Sequence, residues 1–184
     1  MNAATDRCIK EDETEALLNE AYPQNSTCLT LFNCTENGPH PITARNATAC
    51  LDPFTSTAAG CLLIGSTAMT WCDARMDCMA RGADLLSATS DVHFGEVRNY
   101  LKSLGFVEDF YVALKKVDNT WMWLLDGRSP GADYSGDWYF NSPSGENGFD
   151  CAMLAQSYGY LAVDMPCDKI IRPLCQLQAP PGVL

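Results

Sequence analysis

The stretch Trp71-Cys72-Asp73-Ala74-Arg75-Met76-Asp77-Cys78-Met79-Ala80-Arg81-Gly82-Ala83-Asp84-Leu85 decides the fold of this chain. Within it, Trp71, Ala74 and Cys78 stand at positions i, i+3 and i+7, so they share one face of a helix. Thr70, just before the stretch, forms a candidate capping pair with Asp73, and Gly82 is expected to end the helix. We therefore predict a short helix whose buried face carries a cysteine.

A second helix is predicted from Asp91 to Leu104. Ser90 is its expected N-cap, and Gly105 is its expected terminator. Short strands are expected to follow this helix. The helical residues expected to face the core are Val97, Leu101 and Leu104.

Composition points to one domain from an oxidising compartment. The chain has 184 residues, 47% of them hydrophobic, which is enough for one core plus an appendage. Its ten cysteines predict a secreted or extracellular protein with five bridges, or with four bridges and an intermolecular pairing. The net charge of -11 argues against nucleic acids and anionic membranes as partners, because both would be repelled. No window has the uninterrupted apolar length of a membrane span.

Residues 1–49 differ from the rest of the chain. The segment from Glu11 to Ala21 predicts a short helix that Pro23 soon ends. Three glycosylation acceptor patterns follow in a polar stretch. Their asparagines are Asn25, Asn33 and Asn46. We predict a glycosylated, cysteine-containing arm. The first six residues lack the apolar core of a signal peptide, so we expect that a leader was removed or that the sequence starts inside a longer precursor.

The opening stretch resembles the first helix of the C-type lectin-like domain, which reads Trp, two residues, Ala, three residues, Cys, three residues, Gly-Ala, one residue, Leu. Phe110 to Leu114 stands where that family has a core strand, and Trp121 to Gly127 is similar to its Trp-rich strand. Trp138 matches the tryptophan before the long binding loop. The resemblance covers residues 50–178, which leaves a tail at 179–184.

The resemblance implies an α+β fold: a C-type lectin-like fold of the long form, with an extra N-terminal disulfide, two helices flanking small antiparallel sheets, and a long irregular loop region. It also implies the disulfide pairing, which spacing alone leaves open. The implied pairs are Cys50 with Cys61, Cys78 with Cys175, and Cys151 with Cys167. A local Cys28 to Cys34 bridge is sterically reasonable, and Cys8 and Cys72 are left either to fasten the arm to the first helix or to join another chain.

The family's calcium and sugar site is expected to be absent. Sugar-binding members hold calcium with a Glu-Pro-Asn or Gln-Pro-Asp triplet, a Glu near a late cysteine, and an Asn-Asp pair after a Trp. The matching positions here are Ser142-Pro143-Ser144, Phe149 and Ala162-Val163-Asp164, so one carboxylate remains where a hard cation needs many oxygens. A shifted alignment could recruit a different set, which leaves calcium open as a cofactor. That set consists of Glu146, Asn147 and Asp150.

The long loop from Gly127 to Phe149 is the expected binding region, because its composition is that of an irregular loop on a braced scaffold. Trp121, Trp123 and Trp138 are expected to pack in the domain, and the family resemblance implies a cis peptide before Pro143. The candidate ligand contacts are Tyr134, Tyr139, Ser142, Ser144, Glu146, Asn147, Tyr158 and Asp164.

No catalytic pattern is visible in the sequence. His40 and His93 are the only imidazoles, and neither stands near a nucleophile. We predict a non-enzyme: an extracellular recognition or adhesion module that binds a protein or glycan ligand without the calcium-dependent sugar site. The alternatives are a structural subunit of a secreted or matrix assembly, as a homo- or hetero-oligomer, and a calcium-dependent lectin with a shifted acidic site.

Overall fold

The structure, a computed structural model, describes residues 50–130 and 137–177, which lie in one compact unit, Ala47–Leu184. The predictions for residues outside these ranges stay predictions. They are the arm at 1–49, with Cys8, Cys28, Cys34 and three sequons, the candidate ligand contact Tyr134, and the tail at 179–184.

The described chain contains two α-helices, eight strands and a 3-10 helix. The helices are α1 (Trp71–Ala80) and α2 (Asp91–Leu104), and the 3-10 helix is Gln156–Tyr158. The strands are β1 (Thr55–Thr57), β2 (Gly60–Ile64), β3 (Asp84–Leu85), β4 (Phe110–Val117), β5 (Thr120–Trp123), β6 (Cys151–Ala155), β7 (Leu161–Met165) and β8 (Arg172–Gln176). The fold is therefore α+β, as expected. No helix of the described ranges is long and apolar enough to cross a membrane.

Helix α1 forms as its sequence predicts. Thr70 is the N-cap, and its hydroxyl accepts the N–H of Asp73. Trp71, Ala74 and Cys78 are each at most 1% exposed. The indole of Trp71 donates to the Val112 carbonyl at 2.9 Å, which ties this face to β4.

Helix α2 also has the predicted ends. The Ser90 hydroxyl accepts the N–H of the third helical residue, and Gly105 adopts the left-handed conformation with φ of 67°. The inward stripe lies one turn earlier than expected and consists of Phe94, Val97 and Leu101. The expectation for Leu104 was wrong: it is 39% exposed, because it is the last helical residue and the chain reverses directly after it.

The sheet follows the order β1-β2-β8-β4-β6-β7, with β3 added to β8 and β5 added to β4. All but one of the pairings are antiparallel. The exception corrects the expected antiparallel sheets: β4 and β8 pair in parallel, with Phe110 opposite Arg172. They run in the same direction because the long loop and the β6–β7 hairpin lie between them in sequence. Helix α2 and strands from both halves of the sheet enclose one hydrophobic core.

Disulfides fasten the periphery of this core. The bonded pairs are Cys50–Cys61, Cys78–Cys175 and Cys151–Cys167, as the resemblance implies. The second pair joins α1 to β8 across 97 positions of sequence. Cys72 is also disulfide-bonded, and its pairing with Cys8 stays a prediction.

Candidate functional site

The β6–β7 hairpin is the scaffold on which the long loop lies. Its strands pair in antiparallel register from Cys151 opposite Met165 to Ala155 opposite Leu161. The loop backbone runs beside β7, where the Tyr139 N–H donates to the Ala162 carbonyl and the Ala162 N–H donates to the Asp137 carbonyl. These bonds, 2.9 and 2.8 Å long, fix the middle of the loop to a rigid strand.

A buried ion pair holds the base of the loop. The Asp137 side chain is 1% exposed, and its Oδ2 accepts from Arg128 Nη2 at 3.1 Å and from the Trp123 indole at 3.2 Å. Its other oxygen has no hydrogen-bond partner among the described residues. Arg128 also donates through Nε to the Ala88 carbonyl. The pair thus joins the start of the loop, at Arg128, to Asp137 farther along it, and ties both to β5 and to the segment before α2.

A second carboxylate, Asp164, holds the tip of the loop. It is 4% exposed and accepts three hydrogen bonds from Ser144: the backbone N–H reaches both oxygens at 2.9 Å, and the hydroxyl reaches Oδ2 at 2.7 Å. The Ser142-Pro143 peptide is cis, as the resemblance implies. The Ser142 N–H donates to the Tyr139 carbonyl, and the Glu146 N–H donates to the Ser144 hydroxyl. The structure therefore brings Ser144 and Asp164 together, and it joins Ser142 to Tyr139 instead.

The residues at the family's calcium positions do not fit that ion. The Asp164 carboxylate is engaged by Ser144, and Phe149 offers hydrocarbon where a carboxylate is needed. The shifted acidic set of Glu146, Asn147 and Asp150 stays a prediction, and the structure describes two of its members singly. Asp150 lies 3.7 Å from the Lys116 ammonium, and Glu146 is exposed on the tip. Residues 50–130 and 137–177 contain no group of three or more His, Cys, Asp or Glu side chains that could hold a metal.

Two of the predicted tyrosines form a stacked pair at the far end of β7. The rings of Tyr139 and Tyr158 lie 3.7 Å apart between centroids at an angle of 8°. Tyr158 is the last residue of the 3-10 helix that turns the β6–β7 hairpin, and it is 41% exposed. Each ring covers one face of the other, so the exposed area of Tyr158 lies on its outer face and edges. Phe140 is 58% exposed beside this pair in sequence.

The tryptophans pack as predicted. Trp123 is buried in the core and contacts Phe94 with 5.8 Å between ring centroids. Trp121 and Trp138 are half-buried and meet edge to face at 4.8 Å. The exposed aromatic residues of this region are Phe140 and Tyr158, and Tyr139 is half-buried against Tyr158.

Sequence reasoning missed two cations next to this tyrosine pair. Arg98 Nε donates to the Gly159 carbonyl at 3.0 Å, and a Cβ placed on Gly159 would lie 3.5 Å from Lys102 Cε. Burial lowers the pKa of Arg98 from its ordinary value. The two cations are four residues apart on α2, a spacing that already places them on one helix face. What the sequence could not show is that the hairpin turn lies against that face.

Comparison with known proteins identifies the family to which this fold belongs. The family model described as the lectin C-type domain matches residues 67–177, more than half of the chain. The mouse killer cell lectin-like receptor subfamily B member 1 is 33% identical over 92 residues, which is 48% of this chain and 42% of the receptor. The chain thus matches less than half the length of that receptor.

Solved structures agree on the fold. Human lithostathine superposes with a TM-score of 0.57 at 23% identity, over 68% of this chain and 97% of that one. A calcium-independent type II antifreeze protein gives 0.56 at 25% identity, over 69% and 92%. SPL-1, in a complex with GlcNAc, gives 0.59 at 17% identity, over 70% and 94%.

Proposed function

Because the chain belongs to the C-type lectin domain family, we propose that it is an extracellular recognition module that binds a protein or glycan through its long loop without calcium in the family's usual sugar site. It catalyses no reaction in this proposal. The observation that carries the proposal is the Asp164 carboxylate. All its hydrogen bonds come from Ser144, so protein groups take the place that a cation would need.

The described part of the loop, from Asp137 to Phe149, has the properties of a binding surface that needs no ion to order it. Asp137 fixes its base, Ala162 its middle and Asp164 its tip, and each contact is made by protein donors and acceptors. A loop fixed before the ligand arrives loses less conformational entropy on binding. The antifreeze relative, described as calcium-independent, supports the idea that this fold does not depend on the ion.

Three further parts of the proposal concern the whole protein. Secretion, glycosylation of the arm and a role in adhesion are consistent with the disulfides of residues 50–177, because such bonds form in oxidising compartments. A structural subunit of a secreted assembly remains the alternative function. It depends on cysteines of the arm, which lie outside the described residues.

The test is a screen of the intact, oxidised protein on glycan and extracellular-protein arrays, in calcium and in EDTA. We expect specific capture that EDTA leaves unchanged, while a calcium-dependent lectin on the same arrays loses its signal. Thermal unfolding in millimolar calcium should give the same Tm as in EDTA. Loss of capture in EDTA, or the absence of any ligand of either class, would overturn the proposal.

A further inference from the structure

Four side chains lie around the hairpin turn, and we name them the basic aromatic patch: Arg98, Lys102, Tyr139 and Tyr158. Gly159 links them, because its carbonyl accepts from Arg98 and a Cβ placed on it would lie 3.5 Å from Lys102 Cε. Tyr158 precedes it in the chain and stacks on Tyr139. The patch lies at the hairpin end of β7, whereas Asp164 and the loop tip lie near the other end of that strand.

The cations of this patch are not neutralised within the described fold. Arg75, Arg81, Lys116, Arg128 and Arg172 all have carboxylate partners within 4 Å. No ion pair to Arg98 or Lys102 occurs among residues 50–130 and 137–177. The carboxylate on the adjoining turn, Asp109, is engaged as an acceptor of the Gln156 N–H at 2.8 Å. In a chain of net charge -11, two unpaired cations beside an exposed tyrosine are an exception to the prevailing sign.

We propose that the basic aromatic patch binds a short acidic glycan, with Tyr158 stacking on a sugar ring and Arg98 and Lys102 binding a carboxylate or sulfate group. This inference rests on the proposed recognition function and names its ligand class and its contact surface. Aromatic faces stack on the apolar face of a sugar, and guanidinium and ammonium groups bind carboxylate or sulfate oxygens by charge-assisted hydrogen bonds. The patch offers an aromatic face and two cations around the same hairpin turn.

The overall charge sets the size of the ligand. A long polyanion would extend beyond the patch onto a predominantly acidic surface and would be repelled there. A ligand with one or two acidic groups would remain within about one Debye length, roughly 8 Å at physiological ionic strength, of the two cations. Short oligosaccharides that carry one sialic acid or one sulfate have few enough acidic groups, and glycosaminoglycan chains have too many.

The experiment is an NMR titration of the oxidised, full-length protein with sialyllactose, sulfated N-acetyllactosamine and neutral N-acetyllactosamine. The two acidic sugars distinguish a carboxylate from a sulfate as the recognised group. We expect at least one of them to bind about tenfold more tightly than the neutral sugar, which corresponds to one charge-assisted contact. The backbone signals of Tyr158 and Gly159 should shift, and those of Ser144 should not.

Variants then test the named contacts. Lys102 lies on an exposed helical surface, and Lys102→Gln should weaken acidic-sugar binding about two- to fivefold. Lys169 is an exposed lysine between β7 and β8, and Lys169→Gln serves as the matched control that should leave this binding unchanged. Arg98→Gln should weaken it about tenfold. Tyr158→Ala should lower the affinity for acidic and neutral sugars alike, and Tyr158→Phe should preserve it.

The outcomes separate this inference from the proposed function. Equal affinity for acidic and neutral sugars, or acidic-sugar binding that Lys102→Gln and Arg98→Gln leave intact, overturns the patch assignment alone. Equally tight binding of a tetraglutamate peptide would also overturn it, because charge without sugar stacking would then suffice. Capture on the arrays that EDTA abolishes overturns the calcium-independent function and leaves the patch to be judged by its own variants.

Discussion

Replacing Arg128 with glutamine tests whether the buried ion pair holds the long loop. Arg128→Gln removes a charge-assisted hydrogen bond to Asp137, whose side chain is 1% exposed and whose other oxygen already has no partner in the described structure. The carboxylate would then keep one neutral donor, the Trp123 indole. Removing one partner of a buried pair costs about 3–5 kcal/mol. Since the Arg128 side chain is 22% exposed, water can reach the site, and we expect about 2–4 kcal/mol.

The same reasoning predicts a rescue. Asp137→Asn in the Arg128→Gln background removes the unpaired buried charge while retaining an oxygen that can accept from Trp123. We expect the double variant to regain about half of the lost free energy of unfolding, because the penalty arises from the uncompensated charge.

The assay is equilibrium unfolding in guanidinium chloride under non-reducing conditions, with the slope m compared among all variants. Arg81→Gln serves as the matched control, because it breaks an exposed pair with Asp77 in which the arginine side chain is 42% exposed. That control should lose about 0.5 kcal/mol or less. If Arg128→Gln costs no more than Arg81→Gln, or if adding Asp137→Asn deepens the loss, the charge-burial reasoning is refuted.

Three other substitutions probe the loop tip, the core and the sheet. Ser144→Ala removes the hydroxyl that donates to Asp164 and should lower the free energy of unfolding by about 1–2 kcal/mol and speed hydrogen exchange at the loop tip; unchanged exchange would contradict the anchor. Burial lowers the pKa of Lys115 in the folded state, so the unfolded chain binds more protons and the free energy of unfolding should rise as the pH approaches 10.5, the ordinary pKa of lysine. Lys115→Met should remove that rise and stabilise the protein at neutral pH by about 1 kcal/mol. Unfolding measured at several pH values tests both expectations. Gly65→Ala places a Cβ 2.9 Å from Pro173 Cδ and should cost about 1–3 kcal/mol in the same unfolding assay, whereas an unaltered midpoint would show that the strand ends shift freely.

The parts of the fold that the sequence predicted are those set by local rules. Both helices have caps and apolar spacing within a few residues of each other, so Thr70, Ser90 and Gly105 could be recognised without knowledge of their neighbours. The family resemblance supplied the disulfide pairing, because a bond such as Cys78–Cys175 joins positions that no local pattern connects.

The parts that escaped prediction are polar groups whose partners are distant in sequence. Arg75 stands on the buried face of α1 because Asp84 accepts two of its hydrogen bonds, and periodicity reports a face without naming what covers it. Lys115 is 4% exposed and lies 3.4 Å from the Cys167 sulfur, although a lysine in a strand predicts a solvent-facing position. In the long loop, where no period exists, nothing distinguished Asp137 from its solvated neighbours.

In the candidate site, too, residue types could be predicted from the sequence, whereas contacts between distant residues could not. Tyr139 and Tyr158 were predicted as exposed aromatic contacts, and Ser144 and Asp164 match positions of the family's calcium site. The structure adds that they belong to two separate places, one at each end of β7. Residue type predicted a binding role for these positions, but only the register of the hairpin could divide them into two groups.

The arrangement of anchors determines where the loop can vary without loss of stability. The loop is fixed at two buried carboxylates, Asp137 and Asp164, so substitutions there remove a partner from a buried charge or hydrogen bond. Glu146 and Asn147 lie between these points in the sequence, and both are exposed to solvent. A binding loop built in this way can exchange the side chains that touch a ligand while its base and tip stay in place. The stability of the domain and the specificity of its surface are therefore set by different residues.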